Sequence, residues 1–150
     1  MLKRKIDSFL LDWKQKKEKK PLVVTGMCQV GKTTSIENLK NQYEVFIKID
    51  FANNHKYIEI FEKKHNLASI LKNILLLNEE VKFSPRKTLL FFDNVELCLN
   101  ALEASKLFKE NKDFDVIYSG FTLEMHDKIK EVDENTDCIK TIWGRGYKFK

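Results

Sequence analysis

Apolar residues recur at two spacings along the chain, and their alternation predicts strands interleaved with helices. Leu2, Ile6, Phe9, Leu10 and Trp13 repeat at helical spacing, so residues 2–19 read as an amphipathic helix that Pro21 ends. Leu22 to Thr25 is a short apolar, β-branched run, read as a buried strand, followed by a loop from Gly26 to Gly31 and a helix from Lys32 to Asn41. Tyr43 to Phe51 reads as a second strand. Residues 55–80 read as helical with one or two breaks near Asn66, and Ser84-Pro85 as a turn. Thr88 to Phe92 is a third buried strand closing on Asp93. Val95 to Lys109 reads as one helix, Asp115 to Tyr118 as a fourth strand, Ser119-Gly120 as a break, and Phe121 to Val132 as a helix. Cys138 to Trp143 and Tyr147 to Lys150 read as two strands around Gly144-Arg145-Gly146, a hairpin signal.

Strands that alternate with helices argue for an α/β fold, a mostly parallel sheet with helices on both faces. The 150 residues leave room for one domain, with residues 1–20 as an N-terminal helix and 138–150 as a terminal hairpin. No repeat, linker or low-complexity segment interrupts it.

The turn after the first strand changes the picture from fold to chemistry. Gly26-Met27-Cys28-Gln29-Val30-Gly31-Lys32-Thr33, continued by Thr34, fits G-x-x-x-x-G-K-[ST] at every fixed position. A triphosphate is a dense cluster of negative charge. Backbone N–H groups of such a loop wrap it, and the following helix points its positive end at the phosphates. Gly26 and Gly31 allow backbone approaches that a Cβ would block. Lys32 is expected to set its charge between the β- and γ-phosphates, and the Thr33 hydroxyl to ligate Mg²⁺. The expected ligands are therefore a nucleoside triphosphate and Mg²⁺, with residues 26–34 the nucleotide-binding loop.

Such a loop needs an acidic partner on the metal side. Leu89-Leu90-Phe91-Phe92-Asp93 supplies one, because an apolar run forces its strand to the sheet centre and leaves Asp93 at the carboxyl edge.

From about Leu11 to Gly120 the chain resembles the ATPase module of the AAA+ superfamily. Pro21 to Gly26 running into Gln29 to Thr34, then Leu90 to Asp93 and Asp115 to Gly120, carry the likeness. The resemblance implies a RecA-like P-loop NTPase αβα sandwich that binds ATP. By position it makes Lys32 the phosphate lysine, puts Thr33 and Asp93 on the magnesium, and makes Ser119, at the tip of the fourth strand, the sensor of the γ-phosphate. Two positions depart from the family pattern: Cys28 stands where arginine is usual, and Asn94 where a glutamate usually orients and deprotonates the attacking water. An amide can hydrogen-bond that water but cannot take its proton as a carboxylate would. If Asn94 caps the next helix, Glu96 falls in its first turn as a substitute. The expectation is tight binding with slow hydrolysis, and the catalytic candidates are Lys32, Asp93, Asn94, Glu96 and Ser119. The family also usually continues into a lid, for which little chain is left after the fourth strand.

The last dozen residues also resemble the wing hairpin of OmpR-type winged helices. The preferred reading is that Ile139 to Trp143 is a fifth strand beside the loop strand.

Composition narrows the alternatives. No apolar run approaches the ~20 residues of a membrane span, and Asp7, Asp12 and Lys14 break the stretch a secretory signal would need, so a cytoplasmic location is expected. Cys28, Cys98 and Cys138 lie far apart and read as structural thiols. The net charge of +5 comes from lysine, much of it in Lys14, Lys16, Lys17, Lys19 and Lys20. That run reads first as a solvated helix end. It leaves open an accessory protein that binds DNA without sequence preference. A small-molecule kinase on the same loop is a further alternative, disfavoured by having only Arg4, Arg86 and Arg145 to clamp phosphates. A protein partner or self-association is also possible, since a core without its lid would leave apolar surface open.

Overall fold

The computed structural model describes residues 5–26, 32–63, 66–133, 140–143 and 148–149. Six strands form one sheet: β1 (Leu22–Gly26), β2 (Val45–Asp50), β3 (Thr88–Asp93), β4 (Phe114–Phe121), β5 (Lys140–Trp143) and β6 (Lys148–Phe149). Their spatial order is β2-β3-β4-β1-β5-β6. Neighbours from β2 to β5 run parallel, and only β6 returns antiparallel. The helices are α1 (Lys5–Gln15), α2 (Lys32–Asn38), α3 (Lys56–Ile60), α4 (Leu67–Leu76), α5 (Asn100–Glu103), α6 (Ser105–Glu110) and α7 (Thr122–Asp133). The α/β sandwich expected from the alternation is present. The fifth strand lies beside the loop strand, with Leu22 opposite Lys140 and Val24 opposite Ile142.

The period of two along β3 explains the layers. Leu90 and Phe92 join Ile47, Ile49, Phe51, Ile70, Ile74 and Phe108 on one face. Leu89 and Phe91 join Ile6, Leu10, Trp13, Ile36 and Ile117 on the other. All six residues of β3 are buried. Each large side chain so buried contributes about 1.5–3 kcal/mol, which is why an unbroken apolar run must take the sheet centre. Phe92 stacks between Phe51 and Tyr118, with ring planes 13° and 18° apart.

Several element boundaries differ from the expectation, each for a local reason. The segment 95–109 is not one helix but a 3-10 turn (Val95–Leu97) followed by α5 and α6. The Tyr118 phenol donates to the Ala101 carbonyl at 2.9 Å and the Ser105 hydroxyl to the Leu102 carbonyl at 2.6 Å. These carbonyls are engaged by side chains where the chain bends. Ser119-Gly120 is not a break: β4 runs on to Phe121 because β1 continues beside it, Thr25 opposite Gly120 and Gly26 opposite Phe121. The break expected near Asn66 is present: the region 55–80 divides into α3 and α4, and Asn66 caps α4 by accepting from the Ser69 N–H at 2.8 Å.

Within the described residues the first helix ends at Gln15 rather than Lys19, and the lysine run folds back on the sheet. The Trp13 indole donates to the Lys20 carbonyl at 3.2 Å. Lys19 donates to the carbonyl of Lys14, sits over the Trp13 ring and pairs with Asp115 at 3.3 Å. Asp115 also accepts the Tyr43 phenol. Lys19 is therefore part of the structure and not a solvated helix end.

Candidate functional site

Because the strands are parallel, β1 to β4 end on one edge, the edge where α/β sheets bind ligands. β1 ends there at Gly26, and α2 opens at Lys32. Met27, Cys28, Gln29, Val30 and Gly31 lie outside the described residues, as do residues 144–147, where the sequence suggests a hairpin turn.

Thr33 and Asp93, sixty positions apart, meet at this edge: the Thr33 hydroxyl donates to Asp93 Oδ2 at 3.3 Å. Thr34 is exposed. Asp93 is only 3% exposed, and burial pushes its carboxyl above the ordinary carboxylate range. The Asn94 N–H on its Oδ1, Lys48 and Thr33 act the other way, while the charge of Asp50 adds to the rise. A buried carboxylate in this state favours an added cation.

Sequence reading did not single out Lys48, Asp50 or Glu37, and the structure brings all three to this carboxylate. Lys48 and Asp50 alternate with buried Ile47 and Ile49 on β2, and Asp50 is the register partner of Asp93. Lys48 reaches Glu37 on α2 at 2.7 Å and Asp93 at 3.8 Å. Burial alone would lower the proton affinity of its ammonium. Glu37, Asp93 and Asp50 together raise it. The signal was in the sequence: in Ile47-Lys48-Ile49-Asp50, two polar residues at strand spacing ending beside the third strand must share a face.

Asn94 does not cap the turn that follows it. Its backbone is left-handed, with φ of 57° and ψ of 41°, and its side chain makes no cap bond. Asparagine tolerates that region better than most residues. The amide instead donates to Asp50 Oδ1 at 2.8 Å. Glu96 points to the end of β4, where its Oε1 accepts from the Phe121 N–H at 3.4 Å. A Cβ at Gly120 would come within 2.6 Å of that Oε1 and 2.5 Å of Met125 Sδ, so glycine there marks a close approach. The structure thus brings Thr33, Asp93 and Asn94 together with Lys48 and Asp50, and ties Glu96 to the end of β4, which pairs with β1 at Gly26.

Ser119 is not at a strand tip. It pairs in register with Val24 two residues before β4 ends. It is fully buried, and its hydroxyl has no hydrogen-bond partner among the described residues. Strand alternation puts it on the face of Ile117, as it puts Asp93 on the face of Phe91; these are one face of the sheet, packed by α1 and α2.

Among the described residues, no group of three or more His, Cys, Asp or Glu could hold a metal alone. The Thr33 hydroxyl and one carboxylate nevertheless fit Mg²⁺, which takes one or two protein oxygens and completes its shell with water and phosphate. No described helix is long and apolar enough to cross a membrane.

At the opposite, amino edge of the sheet is a cleft of about 260 Å³, lined by Lys17, Lys19, Lys20, Lys109, Lys112 and Asn111 among others. Lysines from two distant segments converge there, although Lys19 and Lys112 are already paired with Asp115 and Glu18.

Comparison with known proteins agrees with this architecture. The model of a family described as an AAA domain matches residues 18–143. No curated protein matches the chain. Among solved structures, the Walker-type ATPase of Pyrococcus abyssi is similar in fold, with a TM-score of 0.55 at 16% identity. The likeness covers 96% of this chain and 52% of that one, so the chain spans about half the length of that relative.

Proposed function

Since the chain belongs to the AAA domain family of P-loop ATPases, we propose that it binds ATP with Mg²⁺ at the carboxyl edge of the sheet and hydrolyses it slowly. The observation that carries this reading is the contact between Thr33 at the start of α2 and Asp93 at the end of β3. Backbone N–H groups of residues 26–34 cradle the phosphates, and Lys32 places its charge between the β- and γ-phosphates. Thr33 and Asp93 would hold the metal, which neutralises charge developing on the phosphates. Ser119, whose buried hydroxyl has no partner among the described residues, would be the group that senses the γ-phosphate. Asn94 supplies an amide where a carboxylate would speed attack by water, which supports slow turnover.

The test is calorimetry of ATP–Mg²⁺ binding on the wild type and Lys32→Ala, with phosphate release followed in the same samples. Micromolar binding that disappears in Lys32→Ala supports the reading. No binding by a well-folded wild type removes it. Asn94→Glu is expected to raise turnover at least tenfold, and equal rates would remove the claim of slow hydrolysis.

The lysine-lined cleft favours a second reading, an accessory site for the phosphate backbone of nucleic acid. Lysine contacts of this kind give binding that weakens steeply with salt and ignores sequence. Absent or salt-insensitive DNA binding would exclude it.

A further inference from the structure

We propose that Asp50 is the carboxylate that orients the water attacking the γ-phosphate, and that Asn94 positions it. The inference rests on the ATP-hydrolysing reading above and assigns the group through which the slow turnover runs.

The geometry is specific. Asp50 ends β2 in register with Asp93, so the two carboxylates stand side by side at one level of the sheet. Asp93 is buried, tied to Thr33 and to the Asn94 N–H, which commits it to the metal side. Asp50 is half-buried. Its Oδ1 accepts two hydrogen bonds, from the Ala52 N–H at 2.9 Å and the Asn94 amide at 2.8 Å. Among the described residues its Oδ2 takes none, and it remains an acceptor for water.

The left-handed backbone at Asn94 is what swings the amide back across the strand ends to β2. A carboxylate is thus present one hydrogen bond away from position 94, on the neighbouring strand. One acid and one amide still occupy the site, with the acid on β2 and the amide after β3. Two N–H donors, the Ala52 backbone and the Asn94 amide, hold the Asp50 carboxylate oriented, which a water-directing group requires.

In the reaction, the oxygen of a water hydrogen-bonded to Asp50 forms a bond to the γ-phosphorus. The bond from that phosphorus to the bridging oxygen breaks, ADP leaves with the electron pair, and the water's proton passes to Asp50 and then to solvent. Asn94 touches neither water nor phosphate and acts as a positioning residue.

Asp50→Asn tests this with little risk to the fold, because an asparagine oxygen still accepts from Ala52 and Asn94. The expected result is a fall in phosphate release of at least tenfold, with ADP affinity within twofold of wild type. Binding of ADP with tetrafluoroaluminate, which mimics in-line transfer with its axial water, should weaken at least tenfold in the same variant; this readout needs no turnover. Moving the acid across the hydrogen bond, in Asp50→Asn/Asn94→Glu, should recover both. Unchanged release and tetrafluoroaluminate binding in Asp50→Asn, loss of ADP binding along with turnover, or no recovery in the double variant would overturn the assignment. Failure of the ATP-binding reading is recognised separately, since the wild type itself would then bind no nucleotide.

Discussion

The ammonium of Lys48 lies 3.8 Å from the Asp93 carboxylate and 2.7 Å from Glu37, bridging β3 to α2 where Mg²⁺ is proposed to bind. A cation already leans on the carboxylate that Mg²⁺ would use. Lys48→Met should therefore shift half-saturation of nucleotide binding to lower Mg²⁺, by about three- to tenfold, as a partly exposed ion pair of about 1 kcal/mol allows. A Mg²⁺ titration at fixed ATP measures it, and an unchanged or higher requirement would show that Lys48 supports the metal instead of competing with it.

Asp93→Asn should stabilise the ligand-free protein while abolishing Mg²⁺-dependent binding. The folded state raises this carboxyl's proton affinity, chiefly through burial. Its contribution is thus most favourable below the unfolded carboxylate range and is lost as pH rises through that range toward the raised value. At neutral pH the variant escapes that cost, so its Tm should lie above that of the wild type, each 1 kcal/mol being worth roughly 2–4 °C for a domain of this size. Thermal melts from pH 4 to 8 should show a flatter profile for the variant.

Ser119→Ala should leave the Tm of the apo protein equal to or above that of wild type. A buried hydroxyl without a partner costs about 1–3 kcal/mol, and removing it relieves that cost. Phosphate release should nevertheless drop by about tenfold or more if the hydroxyl meets the γ-phosphate. A lower Tm with unchanged turnover would assign Ser119 to packing alone.

Cys98 should resist alkylation in the folded protein. It is buried, and burial pushes its thiol up to about 11. At pH 7 the reactive thiolate is then only about one part in ten thousand. Mass spectrometry of iodoacetamide-treated peptides should find Cys98 unmodified until denaturant is added.

Much of this architecture is legible in residue order, and the exceptions have physical causes. The run Thr88 to Asp93 announces a central strand because nothing else can bury so many apolar side chains, and Thr33 meets Asp93 as the motif spacing implies. Gly120 misleads when read as a stop: it is small because Glu96 and Met125 close over it. The segment from Val95 misleads because its apolar content fits one helix, while the Tyr118 and Ser105 hydroxyls that engage its carbonyls come from side chains no periodicity reveals. The partnership of Asn94 with Asp50 depends on strand register, which local sequence does not encode.

The placement of β1 has a consequence for how the protein is made. Its two neighbours are β4 and β5, and Leu22 finds its β4 partner, Ile117, about 95 residues later in the chain. As the chain emerges from synthesis, the strand that carries the loop motif waits unpaired until β4 has followed it out. Such distant pairings slow folding and leave an open strand edge in the meantime. The proposed nucleotide site is thus among the last features to form, and Thr33 meets Asp93 only once β3 has joined the sheet.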